Sequence, residues 1–175
     1  QQVSSAASDV YKRQIKNVSG DVWKYPDPTA FDLKNELAKF YNISDQNIIV
    51  GEGIDALLGY LVRLFIQVGD HVVTSNGSYP TFNYHVEGFG GQIFKCDYRD
   101  DKEDLQLLID KAIKTKAKLL YFSNPNNPMG TWMRGDKIVS LLEKLPDDCL
   151  LILDEAYAEF AVSYTHLTLP TTPVV

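Results

Sequence analysis

Hydrophobic positions follow two different periods in alternating stretches of the middle of the chain. Stripes with helical spacing and long apolar runs predict helices, whereas runs of four or five apolar residues predict strands. The predicted helices are Phe31–Tyr41, Ile54–Ile66, Pro80–Phe89, Asp104–Thr115 and Gly135–Leu145. The predicted strands are Asn47–Val50, His71–Thr74, Gln92–Cys96, Lys118–Phe122 and Leu150–Leu153.

This alternation indicates the fold class. Short apolar strands separated by helices are typical of a mostly parallel sheet covered on both faces, which predicts a three-layer α/β/α fold. Ligands of such sheets bind beyond the carboxyl ends of the strands. Polar motifs follow three predicted strands, at residues 51–53, 123–130 and 154–155. No repeat or linker interrupts this region, so we expect one domain.

The two ends of the chain differ from the middle. Residues 1–14 are rich in Ser and Ala without a clear period, and residues 162–175 contain no Lys, Arg, Asp or Glu but carry Pro170 and Pro173. Both ends resemble translated sequencing-adapter sequence. We therefore expect two non-native tails around a native segment of residues 15–161, with native disordered tails as the alternative.

Composition excludes several classes of function. The 175 residues are 45% hydrophobic and carry a net charge of −6, which argues against a nucleic-acid binder. Cys96 and Cys149 are expected to be reduced core thiols, with a disulfide as the alternative, and the scattered histidines predict no metal site. Without a membrane-spanning run or a signal peptide, a cytoplasmic protein is expected.

The first motif, Gly51–Ala56, lies between a predicted strand and a helix. Its glycines allow close approach of the backbone to a ligand, and the free amides of a helix start attract phosphate. The G-x-G-x-x-A pattern is also typical of dinucleotide-binding folds, which have an acidic residue at the end of the next strand. Thr74–Asn76 stands there instead. A tight turn with Asp55 as a first-turn charge is the alternative.

The second motif, Ser123–Thr131, contains two Asn-Pro steps directly after a predicted buried strand. Each proline restricts the residue before it, so the loop is expected to be rigid. Amide side chains held in such a loop can donate hydrogen bonds to an anionic oxygen. An ordinary surface turn is the alternative.

The third motif places Asp154 and Glu155 at the exit of an apolar strand. A carboxylate there is costly to desolvate unless it has a cationic partner. A magnesium site of a nucleotide hydrolase would need a G-x-x-x-x-G-K-[ST] loop, which the sequence lacks. Pairing of Asp154 with a protonated ring nitrogen fits better.

Taken together, these residues resemble the fold-type-I pyridoxal-phosphate (PLP) aminotransferases, most nearly the histidinol-phosphate aminotransferase group. The resemblance covers about Trp23 to Phe160. It rests on Tyr25–Pro28, Gly51–Asp55, Tyr79–Phe82, Asn124–Gly130 and Asp154–Tyr157. The resemblance implies an incomplete large PLP-binding domain, residues 15–161, of an enzyme that moves an amino group between an amino acid and a 2-oxo acid.

The resemblance also implies how the cofactor phosphate is held. Backbone amides around Ile54, Asp55 and Ala56 would bind it within the same subunit. Tyr25 would reach the phosphate of the partner subunit, which implies a homodimer; simple packing of Tyr25 is the alternative. The family more often has Ser or Ala in place of Ile54 and Glu in place of Ala56, and Met129 stands where Thr is usual. An undescribed aminotransferase subgroup fits these departures equally well.

The same resemblance implies the contacts of the cofactor ring. Phe82 would stack on the pyridine, where histidinol-phosphate members usually have Tyr. Asn127 and Tyr157 would hydrogen-bond the phenolic oxygen, and Asp154 would keep the ring nitrogen protonated. The bond between Asn127 and Pro128 is a candidate cis peptide. A core aromatic is the alternative for Phe82.

The catalytic Schiff-base lysine of this family lies downstream of the Asp-Glu-Ala-Tyr motif. Here the last lysine is Lys144 and the last arginine is Arg134, both upstream of it. We therefore predict no catalytic residue and no transaminase activity in the chain as given. The alternatives are a threonine-phosphate decarboxylase-like enzyme, a nicotinamide-dinucleotide-binding domain and a binding module that has lost catalysis.

Overall fold

The computed structural model describes residues 2–161, with side chains from residue 9 onward. The tail predicted at residues 162–175 lies outside the described residues. The chain separates into two compact units, Gln1–Ile48 and Ile49–Val175. This division falls inside the segment expected to form one domain.

The first unit consists of helices. Helix α1 spans Gln2–Val18, where the sequence indicated no element in residues 1–14, and α2 spans Phe31–Tyr41 as predicted. The carboxylate of Asp27 accepts hydrogen bonds from the backbone amides of Thr29 (2.9 Å) and Phe31 (2.8 Å). These bonds lower the pKa of Asp27 and satisfy an otherwise free amide at the start of α2.

The second unit is an α/β fold, which confirms the predicted class. Its elements are α3 (Ile54–Phe65), β1 (His71–Ser75), α4 (Thr81–Gly88), β2 (Gln92–Cys96), α5 (Leu105–Thr115), β3 (Leu119–Ser123), α6 (Gly135–Leu142) and β4 (Leu150–Asp154). The strand order is β2-β1-β3-β4, and every pairing is parallel. The described part of the sheet has four strands.

Adjacent residues of each strand point to opposite faces of the sheet and fill two separate hydrophobic cores. The core on the α5 and α6 face includes Val73, Leu120, Phe122, Ile109 and Ile138. The core on the α3 and α4 face includes Val72, Leu119, Tyr121, Leu58 and Phe82. Helices therefore cover both faces, as the three-layer prediction requires.

The cysteines occupy the core on the α5 and α6 face, as expected for reduced thiols. Cys96 and Cys149 are both buried and free. Burial raises the pKa of Cys149 to about 12 and also raises that of Cys96. Both thiols therefore stay protonated at neutral pH and are poor nucleophiles.

The strand predicted at Asn47–Val50 is wrong. Asp45–Asn47 forms a 3₁₀ turn, and residues 48–50 form no regular element although Ile48 has extended backbone angles. A strand requires a neighbour to accept and donate its backbone hydrogen bonds. None of the four described strands pairs with this segment. The glycine motif therefore follows a segment without regular secondary structure.

Truncation of the core on the α3 and α4 face provides a test of this packing. Leu58 of α3 is fully buried, whereas Leu64 of the same helix is 71% exposed. We expect Leu58→Ala to lower the free energy of unfolding by about 2–5 kcal/mol, because it removes buried methyl groups and leaves a cavity. Leu64→Ala, the matched control, should change it by no more than about 0.5 kcal/mol. Equal losses in urea denaturation would contradict the assigned orientation of α3.

Candidate functional site

A small cavity lies at the carboxyl ends of β3 and β4. Its volume is about 100 Å³, and it is lined by Ile54, Tyr79, Ser123, Pro125, Asn127, Asp154, Ala156 and Tyr157. The parallel register that pairs Ser123 with Asp154 brings these strand ends side by side. The cavity therefore combines four of the residues predicted from sequence: Ile54, Asn127, Asp154 and Tyr157.

Asp154 provides the buried carboxylate of this cavity. Its side chain is 7% exposed. Oδ2 accepts a hydrogen bond from the hydroxyl of Tyr121 at 2.6 Å, and Oδ1 accepts one from the backbone amide of Ala156 at 3.0 Å. Within residues 9–161, no Lys, Arg or His side chain forms an ion pair with Asp154. Of the side chains that the structure describes, only neutral donors hold this carboxylate in place, and none would compete with an incoming cation for it.

Tyr121 was missed by the sequence reasoning. It is fully buried in β3, and burial, followed by the nearby charge of Asp154, raises its pKa. The hydroxyl therefore remains a hydrogen-bond donor. The sequence did contain a signal for this hydrogen bond, because Tyr121 lies within an apolar predicted strand and the hydroxyl of a buried tyrosine usually has a hydrogen-bond partner. Periodicity does not identify that partner, because Asp154 is 33 residues away along the chain.

Phe82 lies behind Tyr121, in the core on the α3 and α4 face. Their rings stack with centroids 4.8 Å apart and planes 16° apart. Phe82 is fully buried and does not line the cavity. Its stacking on a pyridine ring stays a prediction.

The loop from Asn124 to Gly130 contains cis peptide bonds at both Asn-Pro steps, which confirms the prediction for Asn127–Pro128 and adds Asn124–Pro125. The side chain of Asn124 bonds to the backbone of Met133, with its oxygen 2.7 Å from the amide nitrogen. Asn127, in contrast, lines the cavity. Asn124 and Asn127 therefore have different roles, which the motif alone could not assign.

Glu103 is a second buried carboxyl group near the site, also missed from sequence. It is 7% exposed, and its Oε2 accepts hydrogen bonds from the amide (3.2 Å) and hydroxyl (3.0 Å) of Ser123. Its Oε1 has no hydrogen-bond partner among the described residues. Burial raises the pKa of Glu103. In the sequence, Glu103 is a charged residue just before a predicted helix, as at many solvent-exposed positions, so no local pattern indicated that it is buried.

The start of α3 presents the amides predicted to bind phosphate. Gly53 has φ 85° and ψ 179°, a conformation accessible mainly to glycine, and α3 begins at the next residue. The first amides of a helix have no intrahelical partner. The Asp55 carboxylate lies 2.8 Å from Nε2 of His85 on α4. Ile54 lines the cavity, whereas Asp55 and Ala56 do not.

Three further predictions concern features outside this cavity. Tyr25 belongs to the first unit and is fully exposed, and its contact with a partner subunit stays a prediction. Among the described residues, no group of three or more His, Cys, Asp or Glu side chains is arranged to hold a metal ion. No helix in residues 2–161 combines the length and apolar character needed to cross a bilayer.

Removal of the phenol that donates to Asp154 tests the neutral-donor arrangement. We expect Tyr121→Phe to lower the free energy of unfolding by about 1.5–3 kcal/mol, since a buried carboxylate loses a donor. Tyr60→Phe is the matched control, because the Tyr60 hydroxyl donates to the Glu52 carboxylate at an exposed position. Its effect should stay within about 0.5 kcal/mol in the same denaturation experiment. A Tyr121 effect as small as that of Tyr60 would argue against the interaction.

The raised pKa of Glu103 predicts a pH dependence of stability. Because the folded state favours the protonated acid, its stabilising contribution is complete below the ordinary pKa of 4.5 and is lost as pH rises through the folded-state pKa. We expect wild type to lose stability relative to Glu103→Gln as pH rises from 4.5 through that folded-state pKa. Urea denaturation across this range measures the difference, with the exposed Glu143→Gln as control. A constant difference would contradict the expectation.

Comparisons with known proteins identify the family of this chain. The family model of aminotransferase class I and II matches residues 2–171. A histidinol-phosphate aminotransferase of Desulfotalea psychrophila is 33% identical over 81% of this chain and 37% of that protein. Histidinol-phosphate aminotransferase 2 of Carboxydothermus hydrogenoformans is 35% identical over 84% of this chain and 40% of that protein. The chain thus spans 37% to 40% of the length of these relatives.

Solved structures give the same assignment. Histidinol-phosphate aminotransferase from Sinorhizobium meliloti, in complex with pyridoxal-5'-phosphate, matches with a TM-score of 0.82 and 50% identity over 84% of this chain and 40% of that one. L-threonine-O-3-phosphate decarboxylase from Porphyromonas gingivalis shares the fold, with a TM-score of 0.71 and 22% identity over 87% of this chain and 46% of that one. The sheet, the order of the motifs and the family match over almost the whole chain lead to one conclusion: this chain belongs to the aminotransferase class I and II family.

Proposed function

We propose that this chain forms part of the cofactor-binding domain of a PLP-dependent aminotransferase of the histidinol-phosphate type. The observation that carries the proposal is the cavity in which the buried carboxylate of Asp154 lies with Asn127 and Tyr157. The whole enzyme would move an amino group between an amino acid and a 2-oxo acid. Its homodimeric state, the contact of Tyr25 with the partner subunit and its cytoplasmic location belong to the same proposal.

The donors and acceptors of the cavity fit the polar groups of PLP. A pyridinium nitrogen needs an anionic acceptor, and Asp154 is a buried carboxylate whose present partners are neutral. A phenolic oxygen needs donors, which the amide of Asn127 and the hydroxyl of Tyr157 supply. A phosphate group fits the free amides at the start of α3, around Ile54, Asp55 and Ala56. When bound, PLP supplies an electron-withdrawing ring for the α-carbon of the substrate.

Each of these residues has a distinct task in the proposed reaction. Asp154 holds the proton on the ring nitrogen, and Tyr121 keeps one oxygen of that carboxylate in place at 2.6 Å. Asn127 and Tyr157 orient the ring through its phenolic oxygen. No lysine follows Lys144, so we propose that this chain alone does not catalyse amino transfer, because it lacks the amine that would bond to the cofactor and move protons.

The histidinol-phosphate assignment is favoured by the 50% identity to the Sinorhizobium meliloti enzyme. A threonine-phosphate decarboxylase-like reaction is the second candidate within the fold, and likeness to the Porphyromonas gingivalis enzyme supports the fold only. Both substrate types named in these proteins carry a phosphate. Comparing the turnover of histidinol phosphate and threonine phosphate by the product of the parent gene would separate the two.

A nicotinamide-dinucleotide domain is the weaker candidate. That fold uses an acidic residue at the end of the strand that follows the glycine motif and its helix, where it binds a ribose hydroxyl. Here β1 is followed by Asn76, whose side-chain amide donates to Asp97 at 3.0 Å. A binding module without catalysis is the remaining alternative. It would be rejected by a downstream lysine in the parent gene.

Equilibrium binding of PLP to the 175-residue chain tests the proposal. We expect PLP to bind, and Asp154→Asn to weaken binding by about tenfold or more, equivalent to about 1.4 kcal/mol, because a neutral amide no longer pairs with the pyridinium. Asp148→Asn, an exposed aspartate before β4, is the matched control and should leave the affinity unchanged. Binding of NAD without binding of PLP would overturn the proposal, as would equal PLP affinities of wild type and the Asp154→Asn variant.

A further inference from the structure

A series of hydrogen bonds connects Glu103, the residue before the Asp104 cap of α5, with the loop that carries Asn127. We propose that Glu103 is a positioning residue of the site, which fixes Asn127 by way of Ser123 and Asn126. The proposed partner of Asn127, a cofactor oxygen, rests on the function proposed above. The effect of Glu103 on the loop can be measured without any cofactor.

The first link joins Glu103 to the end of β3. Its Oε2 accepts hydrogen bonds from both the amide and the hydroxyl of Ser123, at 3.2 and 3.0 Å. The backbone of Glu103 is itself held, because the next residue, Asp104, caps α5 through a bond from the Leu107 amide at 3.1 Å. The acceptor atom of Glu103 therefore belongs to a backbone segment held by the α5 cap, and it lies where β3 ends and the loop begins.

The second link joins Ser123 to Asn126. The Asn126 side-chain amide donates to the hydroxyl oxygen of Ser123 at 3.1 Å, and that hydroxyl donates in turn to Glu103. Both hydrogen bonds therefore run in the same direction, from Asn126 to Ser123 and from Ser123 to Glu103, and Glu103 is the final acceptor. Without that acceptor, Ser123 would lose the group that sets its hydroxyl orientation.

Asn126 is the residue around which the loop closes. Its backbone amide donates to the Thr131 carbonyl at 2.8 Å, and its own carbonyl accepts from the Gly130 amide at 2.8 Å. Its side-chain oxygen accepts from the Met129 amide at 3.1 Å. A shift of Asn126 therefore moves the adjacent Asn127, which lines the cavity.

A purely space-filling role does not account for a carboxyl group at this position. Burial of Glu103 is costly, and no ion pair with a described residue offsets it. Burial also raises its pKa, so the group shifts toward its neutral form. An apolar side chain would fill the space without this cost but would leave the buried Ser123 amide without an acceptor.

Amide hydrogen exchange of the 175-residue chain, followed by NMR, tests the proposal. We expect Glu103→Ala to speed exchange of the Asn126 and Gly130 amides by about tenfold or more, while the amides of Val73 and Leu120 in the sheet stay within about threefold. Glu103→Gln keeps an acceptor oxygen and should restore slow exchange in the loop. Ser123→Ala should reproduce the loop effect, and the exposed Glu143→Ala should change nothing.

Two outcomes would overturn the positioning role. Equal acceleration in loop and sheet would indicate a general loss of packing, and a Gln variant as fast as the Ala variant would exclude the acceptor role. Should the Glu103→Ala variant fail to fold, Ser123→Ala replaces it as the reference. Loop amides that exchange as fast in Glu103→Gln as in Ser123→Ala would then exclude the acceptor role.

PLP titration forms a separate arm of the experiment. In the protein that retains Asn127, Glu103→Ala should weaken PLP binding. In the Asn127→Ala variant, the added Glu103→Ala change should weaken PLP binding no further. An additional loss in that background would contradict action through Asn127. Absence of PLP binding by wild type would count against the proposed function, whereas the exchange rates would still decide the effect of Glu103 on the loop.

Discussion

The site depends on one buried contact, the hydrogen bond between the Tyr121 hydroxyl and the Asp154 carboxylate at 2.6 Å. A carboxylate with 7% exposure is costly to bury, and here neutral donors compensate for part of that cost. This leaves the negative charge available to a cation that enters the cavity. A lysine or arginine in the place of Tyr121 would stabilise Asp154 more strongly but would compete with a pyridinium for it.

That contact exists because the strands are parallel and in a particular register. Ser123 pairs with Asp154 across β3 and β4, so the last residues of both strands reach the same edge of the sheet. Alternation along β3 sends Tyr121 toward the α3 and α4 face and Phe122 toward the other. A shift of one residue in β4 would point the carboxylate away from Tyr121 and out of the cavity.

The sequence predicted most of the second unit because its elements are marked by local patterns. Strand β2 has the predicted limits, and α5 begins after Asp104, whose side chain provides the cap. The failure at Asn47–Val50 has a physical cause, since an extended apolar segment becomes a strand only when another strand pairs with it. The helix over Gln2–Val18 was not indicated either. Its described side chains are exposed, so no buried stripe marked it in the sequence.

In the site, local sequence identified the residues that lie in rigid, unusual motifs, such as Asn127 between two prolines and Asp154 at a strand exit. It missed Tyr121 and Glu103, because each looks ordinary beside its neighbours. Their importance comes from partners 33 and 20 residues away. Tyr121 holds Asp154 in place, and Glu103 holds the start of the loop that carries Asn127. Residues of the cavity lining that lie in unusual motifs are therefore easier to find from sequence than residues that position them, since the second kind is defined only by the folded chain.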